Sequence, residues 1–288
     1  HVVLERGRVA ERWRTQRWDS LSTLTPAWQS RLPGLAYQGH DPGGFLRAAE
    51  VIDLLERYAV SSRAPLETGT TVRALARADS GFRIETSRGR VHAENVVIAT
   101  GHCDVPRVPA FATALPPRIA QVTSAAYRRP GDLPAGGVLV VGASASGLQI
   151  AEEVHASGRP VTLAVGTHAR LPRRYRGRDI MEWLDATGAL DEAPSARAAA
   201  PPWLGRPSAQ LVGRARRPLD LGTLAADGVR VAGRLLSLDR SRASFADDLA
   251  RSIDAAEAKL TRLLARIDAF VEATRIEHLV AGPEAPKP

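Results

Sequence analysis

The chain has 288 residues, of which 44% are hydrophobic and 24% charged, so it can form one large or two smaller globular domains. No apolar run approaches the roughly 20 residues of a membrane-spanning helix. The single cysteine, Cys103, excludes an internal disulfide framework and a dithiol redox centre. The formal net charge of +8 comes mainly from arginines scattered along the chain without a basic recognition motif, so we expect no nucleic-acid partner. We also expect a reducing, cytoplasmic compartment and no metal site.

The first hundred residues have the pattern of a mixed α/β domain. A short strand is predicted at 2–5, a helix at 48–58, and three short strands at 71–76, 81–86 and 90–92. An apolar strand of the buried type is predicted at 95–99, where it runs into Thr100 and Gly101. The Pro-rich stretch that follows is typical of a crossing between domains.

The second half of the chain contains a predicted βαβ unit. It consists of a strand at 138–141, a Gly/Ser loop at 142–147, a helix at 148–156 and a strand at 161–165. An Ala/Pro-rich loop is expected at 193–208. A long amphipathic helix is then predicted from Ser244 to about residue 273, with Ser244 and Asp247 forming a capping box at its start.

The loop of this βαβ unit resembles the dinucleotide-binding fingerprint. Gly142 permits the tight turn out of the strand, the small Ser144 permits close approach of a pyrophosphate, and Gly147 permits the helix to pack close to the strand. Ser144 stands where glycine is usual. The helix N-terminus offers free N–H groups to an anion.

The residues after the second strand of the unit favour NADPH over NADH. An Asp or Glu that would hold the ribose 2′-hydroxyl is missing there, and Arg170, Arg173 and Arg174 follow closely. Arginines at this place would pair with a 2′-phosphate. The alternative is that they only face solvent, and His168 beside them is expected to be a surface residue.

The first strand ends in Glu5, as does the second strand of a nucleotide-binding βαβ unit, where the carboxylate accepts hydrogen bonds from ribose hydroxyls. The glycine loop of such a unit would stand roughly 20 residues earlier, before this chain begins. An apolar strand that ends in Ala-Thr-Gly, as at Thr100 and Gly101, permits close approach of backbone to a cofactor.

The order of these motifs resembles the flavin-containing monooxygenase-like flavoproteins, and more narrowly the bacterial FAD-dependent oxidoreductases. The similar stretches are the Trp-rich segment 13–26 and the Arg-rich segment 170–180. The resemblance implies an α/β fold with two dinucleotide-binding, Rossmann-like domains. It implies a partial FAD-binding domain at 1–105, a crossover at 106–137 and an NAD(P)H-binding domain at 138–288.

The resemblance also assigns roles to residues. The FAD ribose would be held by Glu5, and Trp13, Arg14 and Ser20 would lie near the flavin. Thr100 and Gly101 would lie near the crossing. The NADPH pyrophosphate would be cradled by Gly142, Ser144, Ser146 and Gly147.

The function implied is an NADPH-dependent FAD oxidoreductase, monooxygenase-like, that acts on a small organic substrate. Family members begin with a glycine-rich FAD loop and return to the FAD domain at the C-terminus. We expect this chain to be a fragment that starts after the loop and stops before the return. Thr123 stands four residues before Tyr127, where the monooxygenases carry His. The alternative is a non-catalytic fragment that retains at most NADP(H) binding. No catalytic acid or base is assigned.

Overall fold

The computed structural model describes residues 1–101, 105–106, 108–191, 208–211, 213–214, 217–239 and 242–284. The chain divides into two compact units. Unit 1 comprises residues 1–108 and 122–128, and unit 2 comprises residues 109–121 and 129–288. Cys103 and residues 193–207 of the expected Ala/Pro loop lie outside the described residues. Within the described ranges, no helix combines the length and the apolar character needed to cross a membrane.

Unit 1 begins with a short strand and contains a helical pair and an antiparallel meander. Its helices and strands are β1 (Val3–Leu4), α1 (Glu11–Thr15), α2 (Ala48–Ser61), β2 (Leu66–Glu67), β3 (Val72–Arg77), β4 (Phe82–Thr86) and β5 (Gly89–Ala93). β1 pairs with β2 in parallel, and β3, β4 and β5 form a three-stranded antiparallel sheet. The predicted first strand, the helix at 48–58 and the three-stranded meander are therefore confirmed.

The core of unit 1 forms where α2 packs against the irregular segment before it. Ala27, Leu46, Val51 and Leu54 are buried together. Partly buried side chains pack against this cluster, namely Trp13, Leu35, Tyr37 and Leu55. Trp13 of α1 packs against this cluster, so the cluster holds α1 against α2.

The predicted buried strand at 95–99 is wrong. Residues 95–101 have no regular secondary structure, and Val97 and Ile98 are 88% and 73% exposed. A strand requires ladder hydrogen bonds to a neighbour, and no strand among the described residues pairs with this segment. The apolar side chains of Val97 and Ile98 are therefore exposed rather than buried in a sheet.

Unit 2 contains the predicted βαβ unit and a long C-terminal helix. Its first elements are β6 (Val138–Val141), α3 (Ala145–Ala156), β7 (Val161–Ala164), β8 (His168–Leu171), β9 (Arg174–Tyr175), β10 (Arg178–Asp179) and α4 (Ile180–Ala186). The later ones are β11 (Ser208–Leu211), β12 (Gly213–Arg214), β13 (Arg217–Pro218), α5 (Leu221–Ala226), β14 (Arg230–Ala232), β15 (Leu235–Asp239), β16 (Arg242–Phe245) and α6 (Leu249–Thr274).

A parallel sheet in the order β14-β7-β6 organises unit 2. β6 and β7 pair in parallel from Val138 opposite Val161 to Val141 opposite Ala164, and α3 forms the crossover between them. The βαβ prediction is confirmed, although the helix begins at Ala145 rather than at 148. The last residues of the predicted loop form the first turn of this helix.

Helix α6 confirms the predicted amphipathic helix but not its start. Ser244 lies in β16, paired with Ser237 of β15, so the predicted Ser244–Asp247 cap is wrong. The hairpin of β15 and β16 takes the residues that the pattern had assigned to the first turn. The helix follows Asp248, whose Oδ1 accepts a hydrogen bond from the Arg234 N–H at 3.0 Å and caps no helical N–H. One stripe of the helix is buried, formed by Ala256, Leu260, Leu264, Ile267 and Val271.

Candidate functional site: a dinucleotide-binding turn

The turn between β6 and α3 is built on Gly142. Its φ of +103° lies in a region that L side chains rarely adopt, so glycine is required by the backbone. The Gly142 N–H donates to the Ala164 carbonyl at 2.9 Å, which ties the turn to the end of β7. The carboxyl ends of β6 and β7 therefore meet at this turn.

Gly147 is required by a close approach rather than by its own backbone angles. A Cβ added at Gly147 would overlap the carbonyl oxygen of Gly142. The first turn of α3 therefore packs directly on the strand-to-helix turn, as the fingerprint spacing predicts. A side chain at this position would push the helix away from the sheet.

The N-terminus of α3 is open to an anion. Ser144 is the N-cap residue in an extended conformation, and its hydroxyl makes no capping hydrogen bond. Its carbonyl accepts from the Leu148 N–H at 3.0 Å, which begins the helical ladder. The Ser144 side chain therefore leaves the N–H groups of the first turn, where the half-buried Ser146 lies, without a cap at the positive end of a 12-residue helix.

The three arginines that follow β7 lie in different environments. Arg170, in β8, places Nη1 2.9 Å from Oε2 of Glu257 and Nη2 3.5 Å from Oδ2 of Asp220. Arg173 is buried and forms an ion pair with Asp179, the N-cap of α4. Arg174 is exposed at the start of β9. Two of the three guanidinium groups therefore already have carboxylate partners within unit 2.

His168 and Lys259 lie beside the same segment. His168 is 4% exposed, so the expectation that it is a surface residue is wrong. Its Nδ1 lies 3.0 Å from the carbonyl of Gly166, and its own carbonyl accepts from Nζ of Lys259 at 3.3 Å. Burial lowers the pKa of the His168 imidazole, and the nearby positive charges of Lys259 and Arg170 lower it further, against the opposing hydrogen bond to Gly166. Lys259 lies on α6, 91 residues from His168, and no local sequence pattern indicated this contact.

In unit 1, the residues predicted to hold FAD fall into two groups. Glu5 follows β1, and its Oε1 accepts from the Gly7 N–H at 2.7 Å. Gly101 has a φ of +72°, and a Cβ added there would lie 3.6 Å from Nη1 of Arg12 in α1. Thr100 beside it is exposed. The end of the Ala-Thr-Gly segment therefore lies next to the helix that follows β1.

The second group packs within unit 1. The Trp13 ring lies against the core around α2 and beneath the guanidinium of Arg17, 5.3 Å from its centroid. Arg14 forms an ion pair with Glu56 of α2. Ser20 is half-buried. Trp13 and Arg14 therefore contribute to the packing of α1 on α2.

Trp18 is a residue of this region to which the sequence assigned no role. Its ring is buried, and its Nε1 has no hydrogen-bond partner among the described residues. A buried donor without a partner is costly, by about 1–3 kcal/mol. The only sequence signal for this residue is that it is the second Trp of the segment 13–26. The spacing of the segment does not indicate that its indole is buried.

Comparison with known proteins gives consistent results. The family model described as pyridine nucleotide-disulphide oxidoreductase matches residues 1–185. An uncharacterized CzcO-like oxidoreductase from Geobacillus kaustophilus is 39% identical over 191 residues, which are 66% of this chain and 54% of that protein. A solved flavin-containing monooxygenase from Stenotrophomonas maltophilia matches 85% of this chain and 66% of its own, at 20% identity and a TM-score of 0.61.

A second solved structure, the bacillithiol disulfide reductase of Staphylococcus aureus, matches 84% of this chain and 60% of its own, at 13% identity and a TM-score of 0.52. These structural similarities confirm the predicted α/β, Rossmann-like fold. The chain spans about half the length of the curated relatives it matches.

Proposed function

The chain belongs to the pyridine nucleotide-disulphide oxidoreductase family, and we propose that it forms part of an NADPH- and FAD-dependent oxidoreductase with monooxygenase-like chemistry. The similarity to a flavin-containing monooxygenase and to a CzcO-like oxidoreductase supports this proposal. The substrate would be a small organic molecule. Because Cys103 is the only cysteine of the chain, the proposed reaction uses no dithiol within it.

The observation that carries the proposal is the uncapped N-terminus of α3 above a glycine turn. The nucleotide pyrophosphate would accept hydrogen bonds from the first-turn N–H groups, because the Ser144 hydroxyl forms no capping hydrogen bond with them. Gly142 and Gly147 would keep the turn narrow, so that backbone rather than side chains faces the phosphates. The residues present therefore fit a dinucleotide.

The 2′-phosphate of NADPH would lie near the segment after β7. Arg174 is the exposed arginine of this segment, and Lys259 adds a second positive charge beside His168. The guanidinium groups of Arg170 and Arg173 are held by carboxylates, which offset their charge toward the phosphate. An exposed cation next to the end of the second strand favours a phosphate over a hydroxyl.

The residues of unit 1 fit part of an FAD site. Glu5 would accept the ribose hydroxyls, and Gly101 would permit close approach of the flavin. The Trp18 Nε1 is a buried donor that a bound ligand could satisfy. The redox chemistry, acceptance and delivery of a hydride, belongs to the bound cofactors, while the protein binds, orients and shields them.

A second candidate function is NADP(H) binding without flavin chemistry by this chain. The exposure of Val97 and Ile98 favours it, because the segment that leads to Gly101 is not fixed in a sheet among the described residues. A site that depends on this segment would then be incomplete in unit 1. The two candidates share the nucleotide site of unit 2 and differ in whether the chain holds FAD.

Replacement of Gly142 tests the nucleotide site. We expect Gly142→Val to weaken NADPH binding at least about tenfold, a cost of roughly 1.4 kcal/mol, because valine strains a φ of +103° and alters the turn. Calorimetric titration of the full chain with NADPH measures the change. The matched control is Gly158→Val, at the other end of α3, where φ is +86° and open space surrounds the glycine.

Both glycines flank α3 at positive φ, so a general loss of stability from backbone strain would affect both variants. The proposal predicts that only Gly142→Val loses the nucleotide. Equal NADPH affinity in wild type and Gly142→Val, with the fold intact by circular dichroism, would contradict the site.

A further inference from the structure

Arg170 is held between two carboxylates from distant parts of unit 2. Glu257 of α6 lies 2.9 Å from Nη1, and Asp220, the N-cap of α5, lies 3.5 Å from Nη2. The Arg170 side chain is only 19% exposed, so these charges are screened less than surface charges. The three side chains together carry one positive and two negative charges.

This cluster lies beside the helix that carries the proposed phosphate site. Arg170 is in β8, where it pairs with Gln210 of β11, and β11 lies next to α3. β8 also begins four residues after the end of β7, the strand whose end determines the nucleotide preference in dinucleotide-binding folds. A nucleotide held at α3 would therefore have its adenosine end near Arg170.

The charge balance of the cluster opposes a phosphate. A 2′-phosphate brings about two negative charges at neutral pH, whereas the 2′-hydroxyl of NADH brings none. Arg170 alone would attract the phosphate, but Glu257 and Asp220 outweigh it and hold its guanidinium toward α5 and α6. Like charges close to one another in a half-buried region repel strongly.

We propose that Glu257, together with Asp220, is a specificity-determining residue that limits the preference of this chain for NADPH over NADH by holding Arg170. The proposal rests on the nucleotide site proposed for α3. Removal of the charge of Glu257 releases Arg170 for the 2′-phosphate and removes a repulsive group. The preference for NADPH is accordingly smaller in wild type than three arginines after the second strand would suggest.

Glu257→Gln tests the proposal with little other change. The Glu257 carboxylate accepts a hydrogen bond from Arg170, and its backbone carbonyl accepts one from the Thr261 hydroxyl, which remains in the variant. The dissociation constants of NADPH and NADH are measured separately by nicotinamide fluorescence. We expect the NADPH-to-NADH affinity ratio to rise by about two- to fivefold, the range of a partly exposed ion pair.

Three further variants make the result specific. Glu272→Gln is the matched control, because Glu272 is exposed on the same helix and its substitution changes the net charge equally. Asp220→Asn is the second variant, in which asparagine keeps the N-cap of α5 that Asp220 provides through the Thr223 N–H. In the double variant Arg170→Ala with Glu257→Gln, we expect no rise in the NADPH-to-NADH affinity ratio, because the guanidinium that Glu257→Gln releases is absent.

The outcomes separate this inference from the proposed function. If wild type binds both nucleotides and neither Glu257→Gln nor Asp220→Asn changes the ratio, the inference is overturned and the nucleotide site stands. A gain of equal size in Glu272→Gln, or one that persists without Arg170, also overturns it. If wild type binds neither NADPH nor NADH, the proposed nucleotide site fails, and the inference fails with it.

Discussion

Burial decides the protonation of His168, a residue that the sequence alone places on the surface. Helix α6 packs beside β8, and Lys259 of that helix donates to the His168 carbonyl. The pKa of the imidazole is lowered first by this burial and then by the neighbouring cations. The folded protein therefore keeps His168 neutral at pH values at which an unfolded chain would protonate it.

The stability of the fold consequently depends on pH through His168. In the unfolded chain the imidazole binds a proton near pH 6.5, whereas in the folded protein it does so only at lower pH. The unfolded state thus binds more protons as the pH falls below about 6.5, and the free energy of unfolding decreases until the lowered folded pKa is reached. We expect urea denaturation to show this decrease in wild type and a smaller one in His168→Gln.

The control for this experiment is His278→Gln, which removes an exposed histidine from the short helical turn Glu277–Leu279. It is expected to keep the wild-type dependence on pH below about 6.5. The same slope in His168→Gln as in wild type would mean that other groups cause the acid destabilisation.

Residues fixed by local backbone geometry were predictable from the sequence, and residues fixed by distant partners were not. Gly142 and Gly147 stand at a spacing that a tight turn and a close helix approach require, and both requirements are met. The partners of Arg170 lie 50 and 87 residues away in the chain. Its ion pairs depend on the packing of α5 and α6, which no local pattern contains.

At the scale of elements, α6 also combines a part that its local sequence predicts with a part that depends on distant residues. The spacing of its apolar residues predicted the body of the helix, because a stripe at every third or fourth position must be buried against the fold. Its start was not predictable, since the β15–β16 hairpin competes for residues 244–245 and pairs them with another strand. The apolar run at 95–99 was also misleading, because hydrophobic sequence indicates a strand only where a partner strand is present.

Because one face of α6 is buried, truncation of an isoleucine on that face should destabilise the fold more than truncation of an exposed one. Ile267 is fully buried, whereas Ile253 on the same helix is 41% exposed. We expect Ile267→Ala to lower the free energy of unfolding by about 2–5 kcal/mol, through lost burial and the cavity that remains. Ile253→Ala is expected to cost much less, as measured by chemical denaturation. Equal costs would contradict the assignment of Ile267 to the core.

At the scale of the whole molecule, the two proposed cofactors belong to different units. Unit 2 carries the glycine turn and the uncapped end of α3, and its βαβ unit is complete. Unit 1 carries Glu5 and Gly101, but no strand of the described part of the chain pairs with residues 95–99. The sequence predicted the order of these motifs well, whereas the pairing of the apolar segment before Gly101 depends on neighbours that its own residues do not specify.

An anaerobic absorbance spectrum of the purified chain, mixed with FAD, desalted and then titrated with NADPH, tests the proposed function most directly. Both cofactors must be bound for electrons to pass from one to the other. We predict that the visible flavin bands stay with the protein after desalting, that NADPH bleaches them, and that Gly142→Val abolishes the bleaching. A protein that remains colourless after desalting, or whose flavin bands NADPH leaves unchanged, would contradict the proposed oxidoreductase and favour NADP(H) binding alone.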